Sequence, residues 1–450
     1  MIVKNYKELA INKHRQQMLQ ILDAGIIAVE PRHMLSKLVR YNEDFNSVKI
    51  FNRSYDMMSG RIFIVGAGKA AGAMTEALEN IIYSDRLSGG VVVIRDSSFR
   101  YKTPRVKLIK ASHPLPDNKS IKASKKLFEL KDKYGINERD LVICVISGGA
   151  SSLLAMPVNG VNLTDKQETT RRLLASGATI SEINVVRKHL SKIKGGQMAE
   201  HFSPAQVVTL IISDVVGDDL TVIGSGPTVA DTSTFKEALA IIYKYSIENK
   251  VPKSAMKYLE KGANNDVPET PKKLFNADNY VVGNNNSSLE AMAHKAISLG
   301  LRPVIVSDEL KGDPNVTAYK IVRHVLQDKF KKYNVLLYAG ETNPKLPEKY
   351  GRGGRNQQFA AATMLAFRNL KMNWAMLSAS SDGIDFDLKV AGAIVDNDTV
   401  RLAEEKKMHL APFVRTYDTY SMFKKIGSSL IETGATGTNV ADLAIYMLDY

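Results

Sequence analysis

Glycine-rich turns that carry hydroxyl side chains give this sequence its clearest chemical signal. One of them, Ser147–Gly149, directly follows the apolar run Leu141–Ile146 and precedes Ser151 and Ser152. Glycine lets the backbone approach a ligand closely, and unpaired N–H groups at the start of a following helix favour an anion. The pattern predicts a buried parallel strand whose closing turn binds a phosphate or a carboxylate. A plain strand-to-helix turn with serine caps is the alternative.

A second glycine turn contains Lys69. Its spacing, with Gly66, Gly68 and Ala71, fits the dinucleotide-binding fingerprint, and Asp96 follows the next apolar run, where an acid would bind a ribose. A cofactor pyrophosphate usually needs only backbone N–H groups in such a turn. Lys69 therefore favours an anionic substrate or a transferring phosphoryl group. An NAD(P)-dependent oxidoreductase acting on a small hydroxy acid such as glycerate or hydroxypyruvate remains the alternative.

Three carboxylates follow another predicted strand. The apolar run Val207–Ile212 precedes Asp214, Asp218 and Asp219, and Gly226 lies in a glycine-rich segment just beyond. Metal ligands and general bases of α/β proteins commonly lie at the carboxyl ends of strands. The aspartates are therefore candidates for both tasks, and the capping of turns by aspartate is the alternative.

In the second half of the sequence, charged and amide side chains again follow apolar runs. The candidates for ligand binding or catalysis there are Glu341, Asn343, Arg352, Arg355, Asn356, Asp382 and Asn439. Arg352 and Arg355 belong to a Gly-Arg-Gly-Gly-Arg loop that has no apolar residue to anchor it. Closure of this loop is predicted to place one guanidinium, that of Arg355 at a helix start, on a phosphate or a carboxylate. A solvated hinge is the alternative.

The segment Ser181–Glu200 has an apolar face and several basic residues, which predicts one amphipathic helix. Basic side chains in this pattern are typical of a solvated face. If the face lined a cleft instead, Asn184, Arg187 and Lys188 would bind an anion there.

The composition is that of a globular protein. The chain has 450 residues, of which 44% are hydrophobic and 24% charged, and its length predicts two or three domains. No apolar run approaches the roughly 20 residues of a membrane span, and the first residues lack the apolar core of a secretory signal. The single cysteine, Cys144, lies in a predicted strand and is interpreted as a buried thiol. These features predict a soluble cytoplasmic protein.

The net charge of +14 indicates an attraction for anions. Lys and Arg are scattered among Asp and Glu, without a basic tail or a nucleic-acid-binding motif. A cleft that attracts small anionic substrates is therefore favoured over nucleic-acid binding.

Repeated strand–turn–helix units predict an α/β protein with two layers facing one cleft. A polar stretch without periodicity, 261–277, separates them, so domains are predicted at 1–265 and 278–450. Each is expected to have a largely parallel sheet flanked by helices. A helix is predicted over 8–30, and Val440–Leu448 is predicted as the last helix.

Nine segments, in order, resemble the glycerate 2-kinase family, whose C-terminal part is the MOFRL domain. They are VGAGKAAGAM (65–74), SHPLPD (112–117), SGGASSLL (147–154), EINVVRKHLSKIKGG (182–196), SDVVGDDLTVIGSGPTVAD (213–231), GETN (340–343), GRGGRNQ (351–357), SDGID (381–385) and TGTNVADL (436–443). The resemblance implies a Rossmann-like N-terminal domain, a MOFRL-type C-terminal domain and an active site in the cleft between them. It also implies phosphorylation of D-glycerate on its 2-hydroxyl by ATP with Mg²⁺ or another divalent cation, giving 2-phosphoglycerate and ADP.

The residue inventory agrees with phosphoryl transfer, which needs cations and N–H donors around the phosphate, a carboxylate-held metal ion and a proton acceptor. The sequence has no P-loop and no protein-kinase motif set. The expected catalytic residues are Lys69, Asp214, Arg355 and Asp382, and the expected metal ligands are Asp214, Asp218 and Asp219. The expected substrate- and nucleotide-binding residues are Gly66, Gly68, Ser147, Gly148, Gly149, Ser151, Arg187, Lys188, Gly226, Glu341, Asn343, Arg352, Asn356 and Asn439. Spacing does not decide which acid accepts the proton and which holds metal.

Three positions depart from the family pattern. Gln358 stands where the family usually has Glu, Ala435 replaces a frequent proline, and residues 386–389 replace a common Gly-Pro-Thr-Asp, which removes an acid near Asp382 and Asp385. The expected partners are the small molecules D-glycerate and ATP, without nucleic acid or membrane, and a homodimer is one expected assembly. A non-catalytic protein that binds sugar phosphates is a further alternative.

Overall fold

The computed structural model describes residues 1–57, 59–83, 85–95, 100–386 and 389–449. The chain divides into two compact units. We call Met34–Val282 the central unit, and we call Met1–His33 together with Gly283–Tyr450 the split unit.

The strands are short and separated by helices for most of the chain. In chain order they are β1 (Val39–Asn42), β2 (Ser47–Ile50), β3 (Arg53–Asp56), β4 (Ile62–Ala67), β5 (Leu87–Arg95), β6 (Val106–Ala111), β7 (Leu141–Ser147), β8 (Gln206–Ile212), β9 (Ala277–Gly283), β10 (Pro303–Leu310), β11 (Val335–Gly340), β12 (Trp374–Ser380), β13 (Val390–Asp396), β14 (Leu430–Glu432) and β15 (Asp442–Leu448).

The helices follow the same alternation. In chain order they are α1 (Tyr6–Leu9), α2 (Lys13–Ala28), α3 (Pro31–Leu38), α4 (Ala71–Ile81), α5 (Asn118–Phe128), α6 (Leu130–Tyr134), α7 (Ala150–Leu153), α8 (Leu163–Ala175), α9 (Ile180–His189), α10 (Gln197–Phe202), α11 (Phe235–Lys244), α12 (Lys253–Ala263), α13 (Asn285–Ser298), α14 (Pro314–Leu326), α15 (Arg355–Phe367), α16 (Asn397–Glu405), α17 (Leu410–Arg415) and α18 (Thr419–Ile426). Among the described residues, none of these helices combines the length and the apolarity needed to cross a membrane.

The main sheet of the central unit places its glycine turns side by side. Among the described residues its strand order is β6-β5-β4-β7-β8-β9. The first five strands in this order, β6, β5, β4, β7 and β8, pair in parallel. Val65 on β4 is paired with Cys144 on β7, so the turns that follow these strands lie at one edge of the sheet. Every residue of β4 and β7 is buried, as expected for a parallel sheet covered by helices. The interpretation of Cys144 as a buried thiol is confirmed.

A separate antiparallel sheet, with the order β1-β2-β3, also belongs to the central unit. The sequence analysis did not predict it. Its polar contacts include Arg53 and Tyr55, which both bond to Asp278 at 2.7 and 3.1 Å.

The split unit forms because α2 packs against the helices and strands of the second half of the chain. The Ser288 hydroxyl donates to the Gly25 carbonyl (2.9 Å), and Arg15 forms a buried ion pair with Asp396 (2.6 Å). The sequence assigned residues 1–33 to the first domain, since nothing local in an amphipathic helix states which core it covers. The predicted helix over 8–30 is divided, because Asn12 caps the start of α2 and accepts from the Arg15 N–H (3.0 Å).

The sheet of the split unit has the order β10-β11-β15-β12-β13-β14 in the described part of the chain. β10 and β11 pair in parallel, whereas β15 pairs antiparallel with β11 and β12, and β13 pairs antiparallel with β12 and β14. The predicted α/β class with two domains is confirmed. The largely parallel arrangement applies to the central unit, and the antiparallel neighbours in the split unit are a correction.

The prediction of a helix over Val440–Leu448 is wrong, because this segment forms the central strand β15. Alternate side chains of β15 enter two different hydrophobic cores. Leu443 and Ile445 pack in the core that includes α2, whereas Ala444 and Tyr446 pack in the core that includes α15. An apolar run that is buried on both faces does not show strand periodicity in its sequence.

Candidate functional site

Two glycine turns interlock at the carboxyl ends of β4 and β7. The Lys69 N–H donates to the Gly148 carbonyl (2.8 Å), and the Ala70 N–H donates to the Ser147 hydroxyl (2.9 Å). Ser147 is fully buried. The hydroxyl predicted to cradle a ligand therefore holds the turn that precedes α4.

Gly66 and Gly68 serve the packing of these two strands. A Cβ at Gly66 would lie 2.0 Å from the Val145 carbonyl oxygen, and a Cβ at Gly68 would lie 2.1 Å from the Ser147 hydroxyl. Both residues also have positive φ, +135° and +147°. Their glycine character is explained by this close approach of two backbones.

The same hydrogen bonds bear on the alternative of a dinucleotide site. In such a site the first N–H groups of the helix bind the pyrophosphate. Here the N–H groups of Gly68, Lys69 and Ala70 all donate to protein acceptors. The N–H groups of the turn before α4 are thus engaged, and Asp96, the predicted ribose ligand, lies outside the described residues.

Lys69 lies against the second turn. Gly149 has a φ of +83°, and a Cβ there would be 3.5 Å from Lys69 Cγ and 2.8 Å from the imidazole ring of His113. The structure thus brings Lys69, Gly149 and the SHPLPD loop together, although they come from three separate segments.

Ser151, on α7, is the centre of a polar cluster that the sequence predicted in part. Its hydroxyl accepts from Arg187 Nη2 (2.5 Å) and Lys194 Nζ (3.0 Å), and it is hydrogen-bonded to the Ser225 hydroxyl (2.8 Å). The Ser225 hydroxyl donates to the Asn184 side chain (3.0 Å). Ser151, Asn184 and Arg187 were predicted, whereas Lys194 and Ser225 were missed as site residues.

Lys194 reaches this cluster because the predicted helix Ser181–Glu200 is interrupted. α9 ends at His189, and Gly195 and Gly196 have φ of +59° and +81° before α10 begins. The Gly196 N–H donates to the Gly226 carbonyl (2.8 Å), so the buried Gly226 supports this loop. The expectation of a solvated basic face is wrong for Lys194, which is 1% exposed.

Lys188 has a different environment from Arg187. It forms an ion pair with Asp231 (3.2 Å), and both side chains are buried. Burial acts against the charge of Asp231, but hydrogen bonds from Ser233 and the charge of Lys188 hold its pKa below the ordinary value. The contacts of Lys188 are those of a structural ion pair.

Asp214, Asp218 and Asp219 follow β8, as the sequence indicated. Asp219 accepts from the N–H and the hydroxyl of Thr221 (2.9 and 2.7 Å), which is turn capping. Across the described ranges, no group of three or more His, Cys, Asp or Glu side chains could hold a metal ion. The three aspartates therefore do not assemble into a three-carboxylate metal site in this structure.

In the split unit, Asp385 caps the start of α15. Its carboxylate accepts from the N–H groups of Asn356 (3.1 Å) and Gln357 (2.9 Å), and also from both side-chain amides. A Cβ at Gly354 would lie 2.1 Å from this carboxyl group, which explains the glycine. Burial and the charge of Asp442 together raise the pKa of Asp385 to about 6, against the opposing effect of the donated N–H groups.

Arg355 is held by two carboxylates beside this cap. Its Nε and Nη2 donate to the two oxygens of Asp442 (2.6 and 3.0 Å), and its Nη1 donates to Glu341. Burial acts against the charge, but the two carboxylates raise the pKa of Arg355 above its ordinary value. The side chain remains 27% exposed.

The other predicted residues of the split unit differ from Arg355 in their environments. Arg352 is exposed and its guanidinium lies 4.6 Å from the ring centre of Tyr420. Asp382 is buried and accepts from the Ser380 hydroxyl and the Ile384 N–H (both 2.9 Å). The remaining two differ in exposure, since Asn439 is buried and Asn343 is exposed.

The fold and the sites define a two-domain α/β protein with clustered, partly buried cations suited to anionic ligands. Residues 17–260 match the family model described as "Domain of unknown function (DUF4147)", and residues 334–442 match the MOFRL family. The chain is 35% identical over 433 residues to a protein named glycerate 2-kinase from Pyrococcus horikoshii, covering 95% of this chain and 96% of that one.

Two further comparisons agree on the extent of the likeness. A crystal structure of a glycerate kinase from Thermotoga maritima has a TM-score of 0.83 and 32% identity, and the match covers 96% of this chain and 99% of that one. A protein of Agrobacterium vitis named as a hydroxypyruvate reductase is 38% identical over 443 residues, covering 96% of this chain and 94% of that one. The chain belongs to the glycerate 2-kinase family with a MOFRL domain.

Proposed function

We propose that this protein is a glycerate 2-kinase, which transfers a phosphoryl group from ATP to the 2-hydroxyl of D-glycerate and releases 2-phosphoglycerate and ADP. The observation that carries the proposal is the near full-length similarity to proteins named glycerate kinase. The site chemistry supports it, because Lys69 and Arg355 supply the positive charge that phosphoryl transfer requires. ATP use and the single buried cysteine fit a cytoplasmic enzyme.

Each unit is assigned a role. Lys69, in the central unit, contacts the glycerate carboxylate or the transferring phosphoryl group, and Arg355, in the split unit, binds a second anionic group with the part of its side chain that remains exposed. Asp214 and Asp382 are the two candidates for accepting the hydroxyl proton, one in each unit.

A divalent cation fits this assignment if carboxylates of the protein and the substrate phosphates hold it together. Mg²⁺ is usually held by one or two carboxylates together with substrate phosphates, so it does not need a preformed protein site. One or two of Asp214, Asp218 and Asp219 are the proposed ligands, because they follow the carboxyl end of β8, where metal ligands of α/β proteins commonly lie. The cation would neutralise charge on the phosphates.

The product decides the regiochemistry. The purified protein is supplied with ATP, Mg²⁺ and D-glycerate, and product is coupled to enolase with and without phosphoglycerate mutase. Turnover without the mutase is expected, because enolase accepts 2-phosphoglycerate. Turnover that needs the mutase would mean transfer to the 3-hydroxyl and would overturn the proposal.

The second candidate is a hydroxypyruvate reductase, because a relative at 38% identity bears that name. The engaged N–H groups before α4 argue against a dinucleotide there. Incubation with hydroxypyruvate and NADH or NADPH is expected to give no oxidation of the nucleotide. Nucleotide oxidation without any ATP-dependent turnover of glycerate would favour the reductase.

A further inference from the structure

Lys166, on α8, is a buried lysine whose ammonium group has no hydrogen-bond partner. The residue is 7% exposed, and it lines a cavity together with Arg187 and Lys194. A buried charge without a partner is costly, and such groups normally pair or bind a ligand. Lys166 is therefore a candidate for binding an anionic ligand.

Three cations meet at this place. Within the part of the chain that the structure describes, Lys166, Arg187 and Lys194 take part in no ion pair, and Lys194 is satisfied by the carbonyl and the hydroxyl of Ser151 (2.7 and 3.0 Å). Burial and the neighbouring charge of Arg187 lower the pKa of Lys166 to about 7. Burial also lowers the pKa of Lys194 and of Arg187.

The acid that lines the same cavity does not neutralise them. Glu168 is held by Arg171 and Arg172, each at 2.6 Å, and Arg171 itself lines the cavity. Among the described residues that line the cavity, Lys166, Arg187 and Lys194 therefore have no acid of their own, which favours a ligand with several negative charges.

The cavity combines cationic and apolar lining residues. Its volume is about 510 Å³, and Pro114, Leu115, Leu154, Leu163 and Leu174 form an apolar part of its lining, called the apolar wall below. This size lies within the range of sites for nucleotide- and drug-sized ligands. A three-carbon acid would fill a small part of it and would compensate one charge of three.

We propose that this cavity binds ATP, with the phosphate chain on Lys166, Arg187 and Lys194 and the nucleoside against the apolar wall. Ser151 accepts hydrogen bonds from Arg187 and Lys194, and the Ser225 hydroxyl is bonded to Ser151. Ser151 lies two residues after Gly149, against which Lys69 lies. The inference rests on the proposed function, because it names the site that receives the phosphoryl donor.

The test measures ADP and D-glycerate binding to the full-length protein by calorimetry, together with KM for ATP and for glycerate. Lys166→Met removes the charge and keeps most of the volume. It is expected to leave the melting temperature unchanged or higher, to weaken ADP binding at least tenfold and to leave glycerate binding within twofold. Lys192→Met, in the same basic segment but bonded to Asn159 at the surface, is the matched control and is expected to bind ADP normally.

A second variant changes an exposed residue and therefore does not disturb the buried core. Leu115 lines the apolar wall and is 70% exposed, so Leu115→Glu is expected to fold and to weaken ADP binding by repelling its phosphates. Normal ADP binding in both variants, or a loss confined to glycerate, would overturn the inference.

If wild-type protein binds ADP through Lys166 but does not phosphorylate glycerate, the proposed function fails while this inference stands. If the protein phosphorylates glycerate but its ADP binding does not depend on Lys166, this inference fails while the proposed function stands.

Discussion

Arg355 and Asp442 form a two-point ion pair, in which Nε and Nη2 of the arginine each donate to one oxygen of the carboxylate at 2.6 and 3.0 Å. Asp442 begins β15, the central strand of the split unit, so the guanidinium plane is fixed by the most buried part of that sheet. Arg355 follows a glycine-rich loop, but its side chain has the orientation of a rigid element.

Asp442→Asn should reduce activity through Arg355. The amide keeps the shape of the carboxylate but offers only one acceptor, so one of the two hydrogen bonds from Nε and Nη2 of Arg355 is lost. We therefore expect kcat to fall about tenfold. Steady-state kinetics of Asp442→Asn, Arg355→Ala and the double variant form the measurement. In the Arg355→Ala background, Asp442→Asn should have no further effect on kcat. Additive losses would show that Asp442 acts independently of the arginine.

The two arginines of the glycine loop should differ. Arg355→Ala should lower kcat/KM by about 10² or more, and Arg355→Lys should be clearly impaired because it keeps charge and loses the fork. Arg352→Ala should change kcat and KM less than threefold, since Arg352 is exposed and lies over Tyr420. Near-normal kinetics in both alanine variants would remove the loop from the site.

Lys69 should contribute charge rather than packing. Lys69→Met keeps the aliphatic stem against Gly149 and removes the ammonium group, and Lys69→Ala removes both. Both variants should lower kcat/KM by about 10² or more, because a charge-assisted contact to an anion is lost. The measurement is turnover of glycerate with unfolding curves for each variant. Activity retained by Lys69→Met would assign the residue to packing.

Lys188→Met should lower stability, because it leaves Asp231 buried without its charged partner. Breaking a buried ion pair on one side typically costs about 3 kcal/mol or more, whereas the surface change Lys192→Met should cost less than about 0.5 kcal/mol. Denaturant unfolding measures both free energies, and kcat of the folded variants is compared at low temperature. A stable Lys188→Met protein with lost activity would mean that Lys188 binds a ligand, as the sequence predicted.

Asp385 should make stability depend on pH. Its folded pKa of about 6 lies above the ordinary 3.8, so the folded state holds this proton more tightly than the unfolded state. The contribution therefore becomes less favourable as pH rises from about 4 to about 6, by on the order of 2–3 kcal/mol, and is constant above that range. Asp385→Asn loses acceptors at all pH values but should remove this slope. Unfolding free energies of both proteins at pH 4, 5, 6 and 7 give the comparison, and equal slopes would contradict it.

The sequence predicted those parts of the site that are local. The turn after β7 and the position of Lys69 follow from an apolar run, small residues and a helix start within one short segment. The interruption of the predicted helix Ser181–Glu200 also had a local signal, because Gly195 and Gly196, which precede α10, are unfavourable inside a helix.

The buried cations had no such signal. Lys166 lies on α8 and Lys194 lies between α9 and α10, and both are buried and line the same cavity. A lysine in an amphipathic segment has the same sequence pattern whether it faces solvent or a cavity. The strand β15 was missed for a related reason. Its burial on both faces depends on α2, which lies more than four hundred residues earlier in the chain.

The place of β15 at the centre of its sheet sets an order of events during synthesis. The sheet of the central unit is complete once residue 283 has left the ribosome, so that unit is able to fold while translation continues. In the split unit β11 and β12 have no partner between them until β15 emerges, whereas α2 has its partner helix once α13 has emerged. The apolar face of α2 is thus exposed while the whole central unit is synthesised, and the core that it covers is completed only by β15.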